Sequence, residues 1–227
     1  MSVLNKIISV PLAADQYFPE ETKKTQIYVH HTAGSSDPYG VFKWWASTPD
    51  RIATSFIIGG VPTKGANWKD GDIIQCFSSK HWGWHLGLKA AHLAPGGQKA
   101  KTNTELNKMS IGIEICNWGQ LTKTPKGFKN YAGGIVSDKE VVELTTPFKG
   151  FKYYHRYTQA QLDNTAELIT FLGDRWQIPV KYLGDRIFGI CPDALQGASG
   201  LYTHVSVRPD KWDVVPQPDM IAMLKSL

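Results

Sequence analysis

QIYVHHTAG, residues 26–34, is the stretch on which the reading of this chain turns. Ile27 and Val29 alternate with Gln26, Tyr28 and His30, the period-two pattern of a strand. The pattern stops at His30, His31, Thr32, Ala33 and Gly34, so two imidazoles and a glycine stand where the strand meets its loop. In sheet folds such ends are where loops and ligands meet. Taken alone, the His-His pair fits two readings: histidines satisfied by hydrogen bonds at a strand end, or members of a site.

Outward from this strand, residues 37–48 (DPYGVFKWWAST) place Val41, Trp44, Trp45 and Thr48 at helical spacing. That predicts a short helix with its tryptophans in the core. Residues 54–60 (TSFIIGG) and 72–77 (DIIQCF) read as two strands of a hairpin. Residues 80–108, rich in Gly, Lys, His and Trp, read as an irregular surface region. Residues 109–116 (MSIGIEIC) look like a central buried strand, interrupted by Glu114. Alternation puts Ile111, Ile113 and Ile115 on one face, and Gly112 and Glu114 on the other. Residues 120–157 are basic and aromatic, with a small hairpin expected around 137–140. Thr158 and Gln161 form a capping box, and Leu162, Ala166, Ile169, Leu172 and Trp176 continue it as an amphipathic helix ended by Ile178-Pro179. A further short strand at LYTHVSV (201–207), a proline-bearing loop and a closing helix over 219–227 complete the pattern. The fold class expected is α/β, a mixed central sheet flanked by helices, in one domain over 1–227 with 120–157 as an insertion.

Composition is consistent with this. With 227 residues and 42% hydrophobic content the chain suffices for one domain with a full core, and 20% charged residues exclude wholesale disorder. The formal charge of +5 and pI near 9.0 favour anionic partners: nucleic acid, a membrane surface or wall polymers. No nucleic-acid motif accompanies the charge, so that class stands without support. Cys76, Cys116 and Cys191 lack close pairing, which argues for a reducing compartment over a disulfide framework. Cys116 reads as a buried, inert thiol. The first 20 residues lack the apolar core of a secretory signal, and no run of about 18 apolar residues marks a membrane span. Synthesis in the cytoplasm, no membrane insertion and a monomer are the expectations, with any work outside needing separate release.

Three features carry chemistry. A carboxylate in a buried strand is costly unless paired or functional, which singles out Glu114. His204 is followed by Lys211 and Asp213 in a proline-bearing loop. Two histidines and an aspartate make a three-ligand zinc set with a fourth position left for water, the arrangement of a catalytic site.

IYVHHTAG, TSFIIGG, DIIQCF, WHLG, SIGIEICN and THVSVRPDKWDVVPQP occur in the order and approximate spacing of the zinc-dependent N-acetylmuramoyl-L-alanine amidases. Over residues 24–220 the chain resembles this type-2 amidase family, which spans phage lysozymes, wall-recycling amidases and peptidoglycan recognition proteins. The resemblance implies Zn²⁺ held by His30, His204 and Asp213, with His31 as the ligand's neighbour on the substrate side. It implies Lys211 beside the oxyanion and Glu114 as the acid/base group of the recycling type. Where lysozymes and recognition proteins of the family carry a tyrosine in the strand matching TSFII, this chain has Thr54, which leaves the proton transfer to Glu114. His85 of WHLG matches a position near substrate. Peptidoglycan is the implied partner and its MurNAc–L-Ala amide the implied target, cut by a phage endolysin released through a holin. A recycling amidase acting on soluble muropeptides and a non-catalytic peptidoglycan-binding module are the alternatives; zinc content separates the last.

Overall fold

The structure, a computed structural model, describes residues 6–227; the first five residues of the signal-peptide reading lie outside it. The first described elements are β1 (Ile7–Ser9), β2 (Gln26–His31) and α1 (Pro38–Ala46). Asp37 caps α1 by accepting from the Tyr39 amide, and Pro38 occupies its first turn. β3 (Phe56–Ile58) and β4 (Ile73–Gln75) follow as the expected antiparallel pair. α2 (Ala90–Leu93) and α3 (Asn103–Lys108) precede β5 (Ser110–Ile115). β6 (Gln120–Thr124), β7 (Gly127–Lys129), β8 (Ile135–Val136), β9 (Val141–Phe148) and β10 (Phe151–His155) come next. α4 (Gln159–Trp176), α5 (Pro192–Leu195), β11 (Gly200–Thr203) and α6 (Pro218–Lys225) complete the order.

Two sheets result. The central one runs β1-β4-β3-β5-β2-β11, mixed as expected, with β3, β5, β2 and β11 mutually parallel. The second is wholly antiparallel, β8-β7-β6-β10-β9, and consists of residues 120–155.

One face of the central sheet is closed by helices. Ile27, Val29, Ile111, Ile113 and Ile115 pack with Leu162, Leu168, Ile169 and Leu172 of α4 and Met220 and Leu224 of α6. The predicted capping box starts α4: Thr158 accepts from the Gln161 amide and Gln161 reaches back to the Thr158 amide. The register β2 to β5 then decides the site. His30 pairs with Glu114 and His31 with Ile115, and paired residues share a face. His30 and Glu114 therefore stand together on the face away from α4, at the C-terminal ends of parallel strands, the usual place for ligands in such sheets.

Four local expectations are corrected. Trp45 is buried but Trp44 is 55% exposed, because a nine-residue helix presents only one stripe to the core. Residues 80–108 are not wholly irregular: Thr102 and Glu105 make a reciprocal capping box that starts α3. Residues 138–140 form a single 3-10 turn, and the hairpins lie elsewhere, at β6-β7-β8 and β9-β10. β11 stops at Thr203, and His204 begins a separate 3-10 turn, where Thr203 and Ser206 cap one another. All three cysteines are free and buried, and burial pushes the Cys116 thiol well up, which matches the inert role expected of it. Among the described residues no helix is long and apolar enough to cross a membrane.

Candidate metal centre and active site

His30, His204 and Asp213 converge although they are scattered over most of the chain. Each offers one ligand atom, and the three atoms lie within 4.8 Å of one another, all in buried residues. Asp213 Oδ2 is 3.3 Å from His30 Nδ1 and 2.9 Å from His204 Nδ1. The loop between His204 and Asp213 is pinned at both ends. The Val205 amide donates to the Asp213 carbonyl at 3.1 Å, and Arg208 pairs with Asp210 while donating to the Gly87 carbonyl.

The partners behind the two imidazoles settle which nitrogen faces the cluster. His204 Nε2 is 3.0 Å from the Leu86 carbonyl, an acceptor only, so Nε2 carries the hydrogen and Nδ1 a lone pair. His30 Nε2 meets His85 Nδ1 at 3.0 Å, and His85 Nε2 meets Ser110 Oγ at 2.8 Å. Ser110 donates onward to the Asn107 carbonyl at 3.4 Å, so it accepts from His85, which in turn accepts from His30. This chain leaves the lone pair of His30 Nδ1 also aimed at the cluster. Two imidazole lone pairs and a carboxylate oxygen within hydrogen-bond range of each other repel unless a cation sits among them. The donor set is therefore one that fits a divalent metal, with the outer nitrogens held as metal-ligating histidines are usually held.

Electrostatics point the same way. Burial, then His204, holds His30 down at about 4, so it stays a neutral ring over the physiological range. Burial alone would raise Asp213; with no cation in the cluster, positive charge and N–H groups turned to it from the facing rings of His204 and His30 outweigh burial and keep the carboxyl well below its ordinary value, and a bound cation would take over that part. Glu114 goes the other way. Burial first, then the charge of Asp213, push it well above the carboxylate range, against an opposing pull from Lys211. The lowered pKa keeps Asp213 a carboxylate able to face a cation, while the raised one lets Glu114 hold a proton.

The other expected residues fall as follows. Lys211, half-buried, lines the same cavity as Glu114 and the three-residue cluster, and so does Thr54, whose hydroxyl is committed to the Phe56 carbonyl at 2.8 Å. His31 lies across the sheet from His30, with Nδ1 2.8 Å from the Tyr157 hydroxyl, although it also reaches the cavity edge. It stands outside the three-residue cluster. His85 borders the cavity, as the substrate-side position expected of it requires, and both its ring nitrogens have protein partners, which place it behind His30. Gly112 makes room for this: a Cβ there would lie 2.6 Å from Thr54 Cγ2 and 3.2 Å from the His85 ring. Ser110, Asn107 and Tyr157 are the supporting residues that reading the sequence does not find. Serine, asparagine and tyrosine at strand and helix ends carry no pattern that marks such a role.

Comparison with known proteins follows this geometry. The family model for N-acetylmuramoyl-L-alanine amidase matches residues 21–216. Among solved structures, that of PlyL superposes with a TM-score of 0.51 at 15% identity, covering 97% of this chain and 95% of that one. A mutant endolysin from Bacillus subtilis gives 0.49 at 18% identity, covering 97% and 96%. At 15% identity the likeness to PlyL is one of fold. No curated protein matches. With the family model spanning most of its length, the chain belongs to the N-acetylmuramoyl-L-alanine amidase family and is an amidase of peptidoglycan.

Proposed function

We propose that His30, His204 and Asp213 hold a zinc ion, that Glu114 and Lys211 carry out the proton transfer and charge stabilisation, and that the protein is an endolysin cutting intact cell wall. The observation that carries the reading is the convergence of three buried donor atoms within 4.8 Å beside a carboxyl held above its ordinary range. Zinc bound in such a site supplies Lewis acidity, which polarises an amide carbonyl and makes water more acidic.

The chain's own residues then have defined tasks. Glu114 accepts a proton from the attacking water and delivers it to the nitrogen of the leaving L-alanine, and a raised pKa suits a group that must hold a proton between the two transfers. Lys211 places its ammonium beside the oxygen that becomes negative as water adds. The C–N bond breaks, leaving the lactyl carboxylate on the sugar and a free amine on L-alanine. The basic, aromatic segment 120–157 favours anionic wall over small soluble fragments.

His85 is read here as a positioning residue that fixes the tautomer of His30. Replacing it by alanine is expected to weaken zinc affinity by about 10- to 100-fold, measured by competition with a chelator, while Thr54→Ala leaves affinity unchanged. Equal affinity in His85→Ala and wild type would remove this role.

The reading as a whole is tested by zinc content together with the masses of fragments released from purified sacculi. One equivalent of zinc, and fragments that each gain one water with new L-alanine amino termini, are expected. A protein that binds wall but holds no zinc and releases nothing is a binding module instead. Faster cleavage of soluble anhydro-muropeptides than of sacculi assigns it to recycling.

A further inference from the structure

The cavity over the metal centre measures about 790 Å³, towards the upper end of the range for ligand sites, so it has room for more than the single bond to be cut. Its walls beyond the centre are aromatic. α1 contributes Trp44, 55% exposed, with Ile52, 39% exposed, nearby in the lining. The second sheet contributes Gln120 at the start of β6 and Tyr131, 67% exposed, from the turn between β7 and β8.

That turn is well tied. Asn130 is buried; its backbone amide donates to the Gly134 carbonyl at 2.9 Å, and its side-chain oxygen accepts from the Gly134 amide at 2.9 Å. Gly133, at φ 93°, supplies the left-handed residue that the reversal needs. Trp118 meets Tyr131 nearly edge-on, ring centroids 6.0 Å apart. The ring is thus held in water by the structure around it, at the edge of a catalytic cavity, with no core contact to explain it. Residues 120–157 also hold seven Lys and Arg against three Asp and Glu, so a net +4 of the formal +5 sits on this segment. A pyranose offers flat C–H faces with a hydroxyl rim, and an exposed aromatic ring with a polar tip is complementary to it.

We infer that Trp44 and Tyr131 are sugar-stacking platforms of one extended groove, and that through Tyr131 the second sheet makes the enzyme select polymeric glycan strands over single muropeptides. The inference rests on the amidase reading of the site, which supplies the substrate class. Neither ring touches the reacting atoms, so each is a binding residue.

The test compares zinc-loaded wild type with Tyr131→Ala, Tyr131→Phe and Trp44→Ala on intact sacculi and on a soluble N-acetylmuramoyl-peptide, and measures binding to peptide-free glycan strands. Tyr131→Ala is expected to raise KM on sacculi by about tenfold, the scale of one lost aromatic contact. Strand binding should weaken in parallel, kcat/KM on the soluble fragment should not change, and Tyr131→Phe should restore most of the loss. Trp44→Ala is expected to behave like Tyr131→Ala. Equal losses on both substrates, or unchanged strand binding, overturn the inference. Strand binding needs no turnover, so an absence of hydrolysis counts against the amidase reading while the groove is still tested.

Discussion

Glu114→Gln is expected to lower the rate of amide cleavage by about 10²- to 10⁴-fold, the range for removing a positioned general acid/base, while zinc content stays at that of the wild type. Glutamine keeps the size of the side chain but cannot take a proton from water. The backbone has every reason to tolerate it, because position 114 is set by β5 pairing with both β2 and β3. Stability provides an independent readout in the metal-free protein. Glu114 has a folded pKa raised by burial, so above its unfolded value near 4.3 the folded state binds more protons than the unfolded one. Its contribution to stability is therefore present at low pH and falls as pH rises past that value. Glutamine, neutral throughout, removes this decline, so the variant should be at least as stable as wild type at pH 7. Release of L-alanine amino termini and thermal unfolding measure the two effects. A variant that cuts at the wild-type rate excludes Glu114 from the chemistry.

The second large effect is on the metal. Asp213→Ala is expected to weaken zinc binding by a hundredfold or more and to abolish wall lysis. Structural zinc sites with four ligands contribute about 10–16 kcal/mol, so one ligand corresponds to roughly 3 kcal/mol, or about two orders of magnitude in affinity. Asp213 is also the only acidic member of the cluster, and without it the two imidazole lone pairs face the ion with no compensating charge. The loop should survive, since the Val205 contact uses the Asp213 backbone carbonyl and not the side chain. Chelator competition gives the affinity and unfolding temperature checks the fold. Wild-type affinity in the variant would show that the ion, if held, has another third ligand.

Much of this was legible in one dimension. The alternation of Ile27 and Val29, the apolar run around Glu114, and the capping box at Thr158 each depend on contacts within a few residues, and each appears in the structure where the pattern puts it. Trp44 shows the limit of such patterns. Helical spacing states which residues share a stripe, but not how wide a stripe the neighbouring element covers, and here the cover ends before Trp44. The 3-10 turn at His204 was hidden for a similar reason: LYTHVSV has strand composition throughout, and only the Thr203–Ser206 capping ends the strand.

The amino-acid order by itself determined the α/β class, the central strands and the amphipathic helix beneath them, because these follow from side-chain periodicity, and it singled out Glu114 as a costly carboxylate in an apolar strand; the roles expected of His30, His204, Lys211 and Asp213 came with the family resemblance. The strand pattern left His30 and His31 open and only the family resemblance favoured His30; tertiary structure puts His30 in the three-residue cluster, since a shift of one residue in strand register would exchange it for His31. It alone placed His85 behind His30 and brought a ring from the inserted sheet to the cavity. Those outcomes depend on contacts between residues 55 to 183 positions apart along the chain, or on which of two sheet faces is covered, and no local pattern encodes either.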